Sequence, residues 1–263
     1  MADRPLITLT TDFGEGSRYV ASMKGVILSI NPQAHVVDLT HGIPHQDVRR
    51  GALALAETAP WFPPGTIHVA VVDPGVGSTR RIVYAQIGGG QFIAPDNGLL
   101  GRLAAATPPS KIVGLDEPRF WLSRVSSTFH GRDIMAPVAA RLSLGLSPDE
   151  LGPPIDHLSE LPWPEVQKVA QRITGEVIEI DSFGNLITNI TREQLDGVPT
   201  DESVTITCDE HTTQGIFRTY SDQPAMTLVA LVGSGDRLEL AIVDENASAM
   251  LGVTIGAAVS VSW

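Results

Sequence analysis

The first 72 residues alternate between two hydrophobic patterns, and this alternation limits the folds that the chain can adopt. Apolar runs at 6–11, 35–39 and 67–72 have the length and composition of strands. The two segments between them carry apolar residues at helical spacing, namely Val20, Met23, Ile27 and Ile30 in the first and Val48, Ala52, Leu55 and Ala56 in the second. The order strand, helix, strand, helix, strand is typical of a parallel sheet with right-handed crossovers. We therefore predict an N-terminal α/β domain with a mainly parallel central sheet.

Local signals mark the ends of these helices. Ser17 and Asp47 precede the two helical segments, and both residue types cap helix N-termini. Asn31-Pro32 ends the first helix. Further along, the patterns predict a hairpin at 82–87 and 91–94, a short helix at 99–103, a strand at 111–115, and a helix between Ile134 and Gly145.

The pattern changes after a proline-rich stretch that contains Pro153, Pro154, Pro162 and Pro164. We predict a linker at 161–171, which separates the α/β domain at 1–160 from a second domain at 172–263. Short apolar runs with turn residues between them recur through the second domain, near 172–180, 186–190, 203–207, 214–217, 227–232, 237–242 and 258–262. No amphipathic helix is predicted there, so this smaller domain is expected to be an all-β barrel or sandwich.

Composition excludes several classes of function. The 263 residues carry a net charge of -12, which argues against nucleic acid or an anionic membrane surface as a partner. No apolar stretch approaches the length of a membrane span. The single cysteine, Cys208, rules out an intrachain disulfide and a multi-cysteine metal site. No signal-peptide core precedes the first strand, so a soluble cytoplasmic protein is expected.

A glycine loop follows the strand at 67–72 and carries charged residues on both sides. Asp73 ends the strand, Pro74 begins the turn, and Arg80 and Arg81 close the loop. In open α/β sheets, ligands bind at the carboxyl ends of the strands. An Asp before Pro-Gly is also a common turn former, and a nearby arginine can be its surface ion pair. The loop by itself therefore leaves a structural and a functional interpretation open.

Other candidate sites have weaker signals. His41 and His45 are four residues apart, but they lie in a Gly/Pro loop rather than on a helix, so no metal site is predicted there. His130 stands beside a glycine at the beginning of a helix, where a histidine is usually a packing or surface residue. The chain contains no phosphate-binding loop, nucleophile elbow or dinucleotide fingerprint.

Five polar motifs occur along the chain in an order that resembles one family. They are Thr11-Asp12-Phe13-Gly14, the loop from Asp73 to Arg80, Ala94-Pro95-Asp96-Asn97-Gly98, Thr128-Phe129-His130-Gly131-Arg132-Asp133, and Asp181-Ser182-Phe183-Gly184-Asn185. In this order they resemble the S-adenosyl-L-methionine (SAM) hydrolases, also called SAM hydroxide adenosyltransferases, which are relatives of the fluorinase and chlorinase. The resemblance extends over essentially the whole chain, including the division into α/β and β domains.

The resemblance implies an activity and an assembly. Water or hydroxide would attack the ribose C5′ of SAM and release adenosine and L-methionine, with SAM as substrate and no cofactor. The family's catalytic Asp, Arg and His correspond to Asp73, Arg80 and His130, and the spacing of seven residues selects Arg80 over Arg81. The halogenating relatives lack this trio, which favours water over halide. A homotrimer is also implied, with active sites between the N-terminal domain of one subunit and the C-terminal domain of the next.

The resemblance also assigns substrate contacts. Asp12 would bind the ribose hydroxyls, while Asp181 and Asn185 would bind the amino and carboxylate end of methionine, with Phe183 packing nearby. The remaining positions implied in substrate binding are Asn97, Phe129, Ser234, Glu239 and Ala247. Two departures concern the β-domain part of the pocket: Val243 stands where the family often has Asn, and Asp236-Arg237 replaces a more usual Gly-Tyr.

Physical chemistry agrees with these roles. A sulfonium is a good leaving group without a general acid, so the site has to align and activate the nucleophile. Arg80 beside Asp73 would keep the carboxylate ionised, and Asp73 or His130 could take a proton from water. The sequence leaves open which of the two is the base. Three alternatives remain: a SAM-dependent halogenase, a protein that binds SAM or adenosine without turnover, and a purely structural trimer.

Overall fold

The computed structural model describes residues 4–263, and the chain divides into two compact units between Leu161 and Pro162. The first unit is built on a six-stranded mixed sheet. Its strands are β1 Leu6–Thr11, β2 His35–Thr40, β3 Ile67–Val71, β4 Ile82–Ile87, β5 Gly90–Pro95 and β6 Lys111–Gly114, in the spatial order β2-β1-β3-β5-β4-β6. The pairings among β2, β1, β3 and β5 are parallel, and β4 is antiparallel to β5 and β6. The predicted α/β fold and the hairpin are confirmed.

Four α-helices accompany this sheet: α1 Arg18–Ile30, α2 Val48–Thr58, α3 Gly101–Ala106 and α4 Ala136–Leu142. Both predicted N-caps are present, since the Ser17 side chain accepts a hydrogen bond from the Tyr19 amide and the Asp47 side chain accepts one from the Arg50 amide. Helix α1 buries Val20, Met23 and Ile27 against the sheet. A π-helical turn at Gly131–Met135 leads into α4 and presents His130 at its start.

The register of the parallel strands brings two predicted aspartates to one edge of the sheet. Thr11 at the end of β1 pairs with Val71 at the end of β3. Asp12 and Asp73 follow within two residues of these positions, so both carboxylates leave the sheet at its carboxyl edge. This edge is where ligands bind in open α/β sheets.

The second unit is an antiparallel sheet that nearly closes into a barrel. Its strands are β7 Gln167–Val169, β8 Arg172–Ile180, β9 Leu186–Thr191, β10 Thr205–Cys208, β11 His211–Gln214, β12 Leu228–Val232, β13 Arg237–Ile242 and β14 Ala258–Ser262. The spatial order is β11-β10-β14-β8-β9-β13-β12, with β7 added to β8. The Thr213 hydroxyl donates to the Leu228 carbonyl at 2.7 Å and so links the two outermost strands. The predicted barrel-like β domain is confirmed.

Three details of the second unit differ from the sequence-based expectation. Strand β7 lies inside the expected linker 161–171, because a tight turn with Ala170 at φ 49° folds it back onto β8. Strand β11 ends at Gln214, whereas a strand was expected near 214–217. A short helix, α5 Ala247–Leu251, was not predicted; it buries only Ala247 and is too short to show an amphipathic period.

Candidate active site

Asp73, Arg80 and His130 are joined by direct hydrogen bonds. The Arg80 Nε atom lies 2.9 Å from Asp73 Oδ1 and 3.0 Å from Oδ2, and Arg80 Nη2 also donates to Oδ2. The same Nη2 lies 2.9 Å from His130 Nδ1. The Asp73 and Arg80 side chains retain only 5% and 12% of their exposure, so this pair is held largely away from water. Such a forked pair fixes both groups in one geometry.

The contact with Arg80 determines the tautomer of His130. A guanidinium can only donate, so His130 Nδ1 must accept, and the neutral ring then carries its proton on Nε2. Burial and the nearby positive charge of Arg80 lower the pKa of His130 below its ordinary value of 6.5. Neutral His130 therefore offers an N–H donor at Nε2, and Asp73 is the carboxylate acceptor beside it.

A cavity of about 350 Å³ opens beside this trio. Asp12, Asp73, Phe129 and His130 line it together, which brings four of the predicted site residues to one place. Asp12 is 9% exposed, and its Oδ2 accepts a hydrogen bond from the Gln46 amide at 2.8 Å. That bond fixes the carboxylate and leaves Oδ1 for a ligand.

Aromatic rings form one side of the same cavity. Phe13, Tyr19 and Phe129 contact one another edge to face, with centroid separations of 5.3 to 5.8 Å. Such an apolar surface beside a carboxylate suits a ligand with both a sugar hydroxyl and a flat or apolar part. Phe129 was predicted from the resemblance, whereas the contribution of Tyr19 was missed.

The predicted residue Asn97 is not among the residues that line this cavity. Its Nδ2 donates to the Val72 carbonyl at 2.9 Å, and its Oδ1 accepts from the Leu99 amide at 3.2 Å. Asn97 therefore holds the end of β3 immediately before Asp73.

A close contact between two loops also fixes the position of Arg80. Gly77 has φ +80°, and a Cβ atom there would lie 2.3 Å from the Ser127 carbonyl oxygen. The loop that carries Ser127 is held in turn by Asp133, whose buried carboxylate accepts from the Ser126 amide at 2.8 Å. Only glycine fits this close approach, which explains why residue 77 is a glycine.

The second unit contains a cavity of its own, of about 720 Å³. The predicted residues Asp181, Phe183, Asn185, Ser234 and Glu239 all line it. Asp181 Oδ1 accepts from the amides of Phe183 and Asn185 at 2.9 Å each, and its Oδ2 accepts from Asn185 Nδ2 at 3.0 Å. These bonds form the turn after β8 and hold Asp181 in a fixed orientation.

The remaining predicted residues of this unit differ in exposure. Phe183 is 75% exposed at the cavity rim, whereas the Ala247 side chain is fully buried in the core and does not line the cavity. Glu239 is 7% exposed and accepts a hydrogen bond from the Tyr220 hydroxyl. Burial and the charge of Asp181 raise the pKa of Glu239, while the Tyr220 bond opposes them. Tyr220 was missed because it lies 19 residues from Glu239 in a segment without a recognisable motif.

Comparisons with known proteins identify the family. Residues 7–152 match the SAM hydroxide adenosyltransferase N-terminal domain, and residues 175–260 match the C-terminal domain of the same family. The chain is 41% identical to the (R)-S-adenosyl-L-methionine hydrolase of Salinispora arenicola over 97% of each chain. It is 38% identical to the protein of the same name from Thermus thermophilus, over 96% of this chain and 97% of that one. A fluorinase from Nocardia brasiliensis is 28% identical over 78% of each chain.

A solved structure agrees with this assignment. The crystal structure of an uncharacterised conserved protein from Thermotoga maritima covers 98% of this chain, and all of that protein is matched. Its TM-score is 0.92 at 32% sequence identity. No helix among residues 4–263 has the length and apolarity needed to cross a membrane. The chain belongs to the SAM hydroxide adenosyltransferase family.

Proposed function

We propose that this protein hydrolyses SAM to adenosine and L-methionine. The single observation that carries the proposal is the hydrogen-bonded trio of Asp73, Arg80 and His130 beside the Asp12 cavity. Relatives that cover nearly the whole chain are named (R)-S-adenosyl-L-methionine hydrolases. We propose the same R configuration at sulfur for the substrate of this chain.

The reaction forms one bond and breaks one. The oxygen of water attacks C5′ from the side opposite the sulfonium, and the C5′–S electron pair leaves with sulfur as the thioether of methionine. His130 Nε2–H donates to the attacking oxygen and orients it, while Asp73 accepts the proton that water loses and passes it to solvent. Burial and the charge of Arg80 lower the pKa of His130 and so keep its ring neutral, and the bonds from Arg80 hold the Asp73 carboxylate in place. Alignment of this kind lowers a barrier by about 7 kcal/mol or more at best.

Substrate binding divides between the two units. Asp12 accepts hydrogen bonds from the ribose hydroxyls, and the rings of Phe13 and Phe129 contact the apolar parts of the nucleoside. Asp181 and Asn185 bind the amino-acid end of the substrate. The groups for each end of SAM therefore lie in different units of the chain.

We further propose a homotrimer located in the cytoplasm. Each active site combines the N-terminal domain of one subunit with the C-terminal domain of the next. The division of substrate-binding groups between two units supports this arrangement, and the family resemblance implies it. The near absence of cysteine is compatible with a reducing compartment.

The test is chromatography of R-configured SAM incubated with the purified protein, with and without chloride and fluoride. The expected products are adenosine and methionine in equal amounts, at a rate that halide leaves unchanged. An Arg80→Ala variant should lose this activity. A 5′-halo-adenosine product would support the halogenase alternative, and bound SAM without any product would support a binding protein.

A further inference from the structure

The loop that follows strand β2 is bonded to the turn that carries Asp12. The His41 carbonyl accepts a hydrogen bond from the Gly14 amide at 2.9 Å, and the His41 amide donates to Glu15 Oε1 at 3.3 Å. The Gln46 amide, from the same loop, donates to Asp12 Oδ2 at 2.8 Å. The position of Asp12 therefore depends on a loop that joins a different pair of elements, β2 and α2.

The His41 side chain adds a further bond on the other side of Asp12. Its Nδ1 atom lies 2.9 Å from the Thr11 hydroxyl oxygen, which also accepts a hydrogen bond from the Phe13 amide at 3.2 Å. Thr11 is fully buried and His41 is 3% exposed, so water does not compete for these bonds. His41 thus holds Thr11 and Gly14 directly, and it holds Phe13 through the Thr11 hydroxyl.

The direction of each bond follows from the available protons. His41 Nε2 lies 3.0 Å from Asp38 Oδ1, and in a neutral ring this carboxylate selects the tautomer with its proton on Nε2. Because Nε2 makes no hydrogen bond with residues 4–263, this contact acts through charge. Nδ1 then accepts the proton of the Thr11 hydroxyl, whose oxygen remains the acceptor for Phe13. Lys24 Nζ donates to Asp38 Oδ2 at 2.6 Å and holds that carboxylate beside the ring.

Gln46 supports Asp12 from the same loop and has a strained backbone. Its φ angle is 65°, in the left-handed region that non-glycine residues seldom adopt. The next residue, Asp47, caps helix α2, so the loop from 41 to 46 is fixed at its far end as well. Strain of this kind persists where the surrounding structure holds it, and it is common at functional sites.

A carboxylate that binds two ribose hydroxyls needs a fixed position, since a misplacement of about 1 Å in a site can cost about 100-fold in rate. Building on the proposed function, we propose that His41 is a positioning residue for Asp12, and that the preference of the site for a ribose with both hydroxyls depends on it. Among residues 4–263, those that line the cavity beside the trio do not include His41 or Thr11. His41 therefore acts through Thr11 and the turn, without touching the substrate.

The first test measures the binding of two nucleosides to the full-length protein by calorimetry. Adenosine and 2′,3′-dideoxyadenosine differ only in the hydroxyls assigned to Asp12. We expect the unmodified protein to bind adenosine about 100-fold more tightly. His41→Phe keeps the approximate size of the ring and removes both nitrogens. It should reduce this preference about tenfold, through weaker binding of adenosine and with little change for the dideoxy compound.

Thr11 offers a pair of variants that separates its hydrogen bonds from its packing. Thr11→Val keeps the shape of the side chain and removes the hydroxyl, so the preference for adenosine should fall about tenfold. Thr11→Ser removes a buried methyl group but keeps the hydroxyl, and its preference should stay within about twofold of the unmodified protein. Rescue by serine is a result that a role in packing alone would not produce.

The matched control is Thr8→Val in the same strand. The Thr8 hydroxyl is also fully buried and bonded to a histidine Nδ1, that of His68, at 2.8 Å. Thr8 lies three residues before Thr11, further from the carboxyl edge of the sheet. Thr8→Val should lower the melting temperature, as Thr11→Val does, because each leaves a buried histidine without its partner. The control should leave the preference for adenosine unchanged.

The outcomes separate this inference from the proposed function. The positioning role is refuted if Thr11→Val and His41→Phe keep the full preference, or if Thr8→Val loses it equally. Equal affinities of the unmodified protein for the two nucleosides, or no affinity for adenosine, would also overturn it. If His41→Phe does not fold, the variants of Thr11 and Thr8 decide the question. The products formed from SAM test the hydrolysis independently, so a failure of either proposal is recognised without the other.

Discussion

At the scale of single residues, Arg80 has two partners at once. It is bonded through Nε and Nη2 to Asp73 and through Nη2 to His130. A lysine has the same charge but only one nitrogen, so it cannot reproduce this fork. The geometry of the guanidinium, and not only its charge, is therefore part of the site.

Arg80→Lys should lower kcat/KM for SAM by about 100-fold or more, because the carboxylate and the imidazole lose their common donor. The matched control is Arg81→Lys, in which the same change falls on a half-exposed arginine paired with Asp96. The control should remain within about threefold of the unmodified enzyme. If steady-state kinetics showed equal losses of kcat/KM in both variants, activity would not depend specifically on the forked contact that Arg80 makes.

The protonation of His130 makes activity dependent on pH. Burial and Arg80 lower the pKa of His130, so the ring is neutral at pH 7 and gains a proton only in acid. A proton on Nδ1 would oppose the Arg80 donor and break the trio. We expect kcat/KM to be constant near neutral pH and to decrease below an apparent pKa lower than 6.5.

The measurement is a pH profile of kcat/KM for the unmodified enzyme and for His130→Asn. The variant keeps an acceptor for Arg80 but has no titrating ring, so its lower residual activity should lack the acid limb assigned to His130. An unchanged acid limb in His130→Asn would assign that limb to another group.

At the scale of elements, the site depends on the contact between the loop after β3 and the loop before α4. Gly77 makes this contact with the Ser127 carbonyl and lies in the left-handed region at φ +80°. Gly77→Ala should lower the melting temperature and reduce kcat/KM by about tenfold or more, because the loop has to move away and take Arg80 with it.

The control for this variant is Gly25→Ala. Gly25 is exposed in helix α1, and a Cβ atom there would have no neighbour within 4 Å. Alanine should stabilise the helix by about 1 kcal/mol and leave activity unchanged. A Gly77→Ala variant that melts and turns over like the unmodified protein would refute the role of this loop contact.

Strand β3 contains a buried histidine that links stability to pH. His68 is 1% exposed, stacks on Phe92 and bonds through Nδ1 to the Thr8 hydroxyl at 2.8 Å. Burial lowers the pKa of His68 from 6.5 to about 4. Between these two values the unfolded chain binds a proton that the folded chain does not, so stability decreases as pH falls.

His68 should lower the free energy of unfolding by about 2 kcal/mol between pH 7 and pH 5, and its effect should be complete below about pH 4. Urea unfolding followed by circular dichroism at several pH values would measure it. In His68→Gln, the decrease over this range should be smaller by that amount, whatever the variant's stability at pH 7. Parallel curves for both proteins would contradict the assignment.

At the scale of the whole molecule, the proposed trimer makes a prediction about mixtures. Arg80→Ala inactivates the N-terminal part of the site, and Asp181→Asn together with Glu239→Gln weakens the C-terminal part. If each site combines two subunits, random reassembly of the two variants in equal amounts should restore about a quarter of the sites. Light scattering should give a mass three times that of one chain, which is 28.0 kDa.

The two variants are mixed after partial dissociation. The activity of the mixture is then compared with the activity of each variant that was treated in the same way alone. Activity in the mixture that stays at the level of the separate variants would place each site within one subunit. A monomeric mass in light scattering would refute the homotrimer directly.

The sequence by itself determined what depends on neighbours along the chain. The alternation of periods gave the order of elements in the first unit, and Ser17 and Asp47 marked two helix starts because capping is a contact across two or three residues. The motif around Asp73 fixed its place at a strand end for the same reason. Strand β7 and helix α5 were not predicted, because elements of three to five residues are too short to show a hydrophobic period.

Only the tertiary structure decided which polar groups meet. His130 is fifty residues from Arg80, and their bond also determines the tautomer of the ring. Tyr220 bonds to Glu239, which is 19 residues away along the chain, and no motif in the sequence predicts this contact. Asn97 was expected to contact the ligand, and its hydrogen bonds to the Val72 carbonyl and the Leu99 amide could not be predicted from its motif. Hydrogen-bond partners and burial are properties of three-dimensional packing, and a linear pattern of residue types does not contain them.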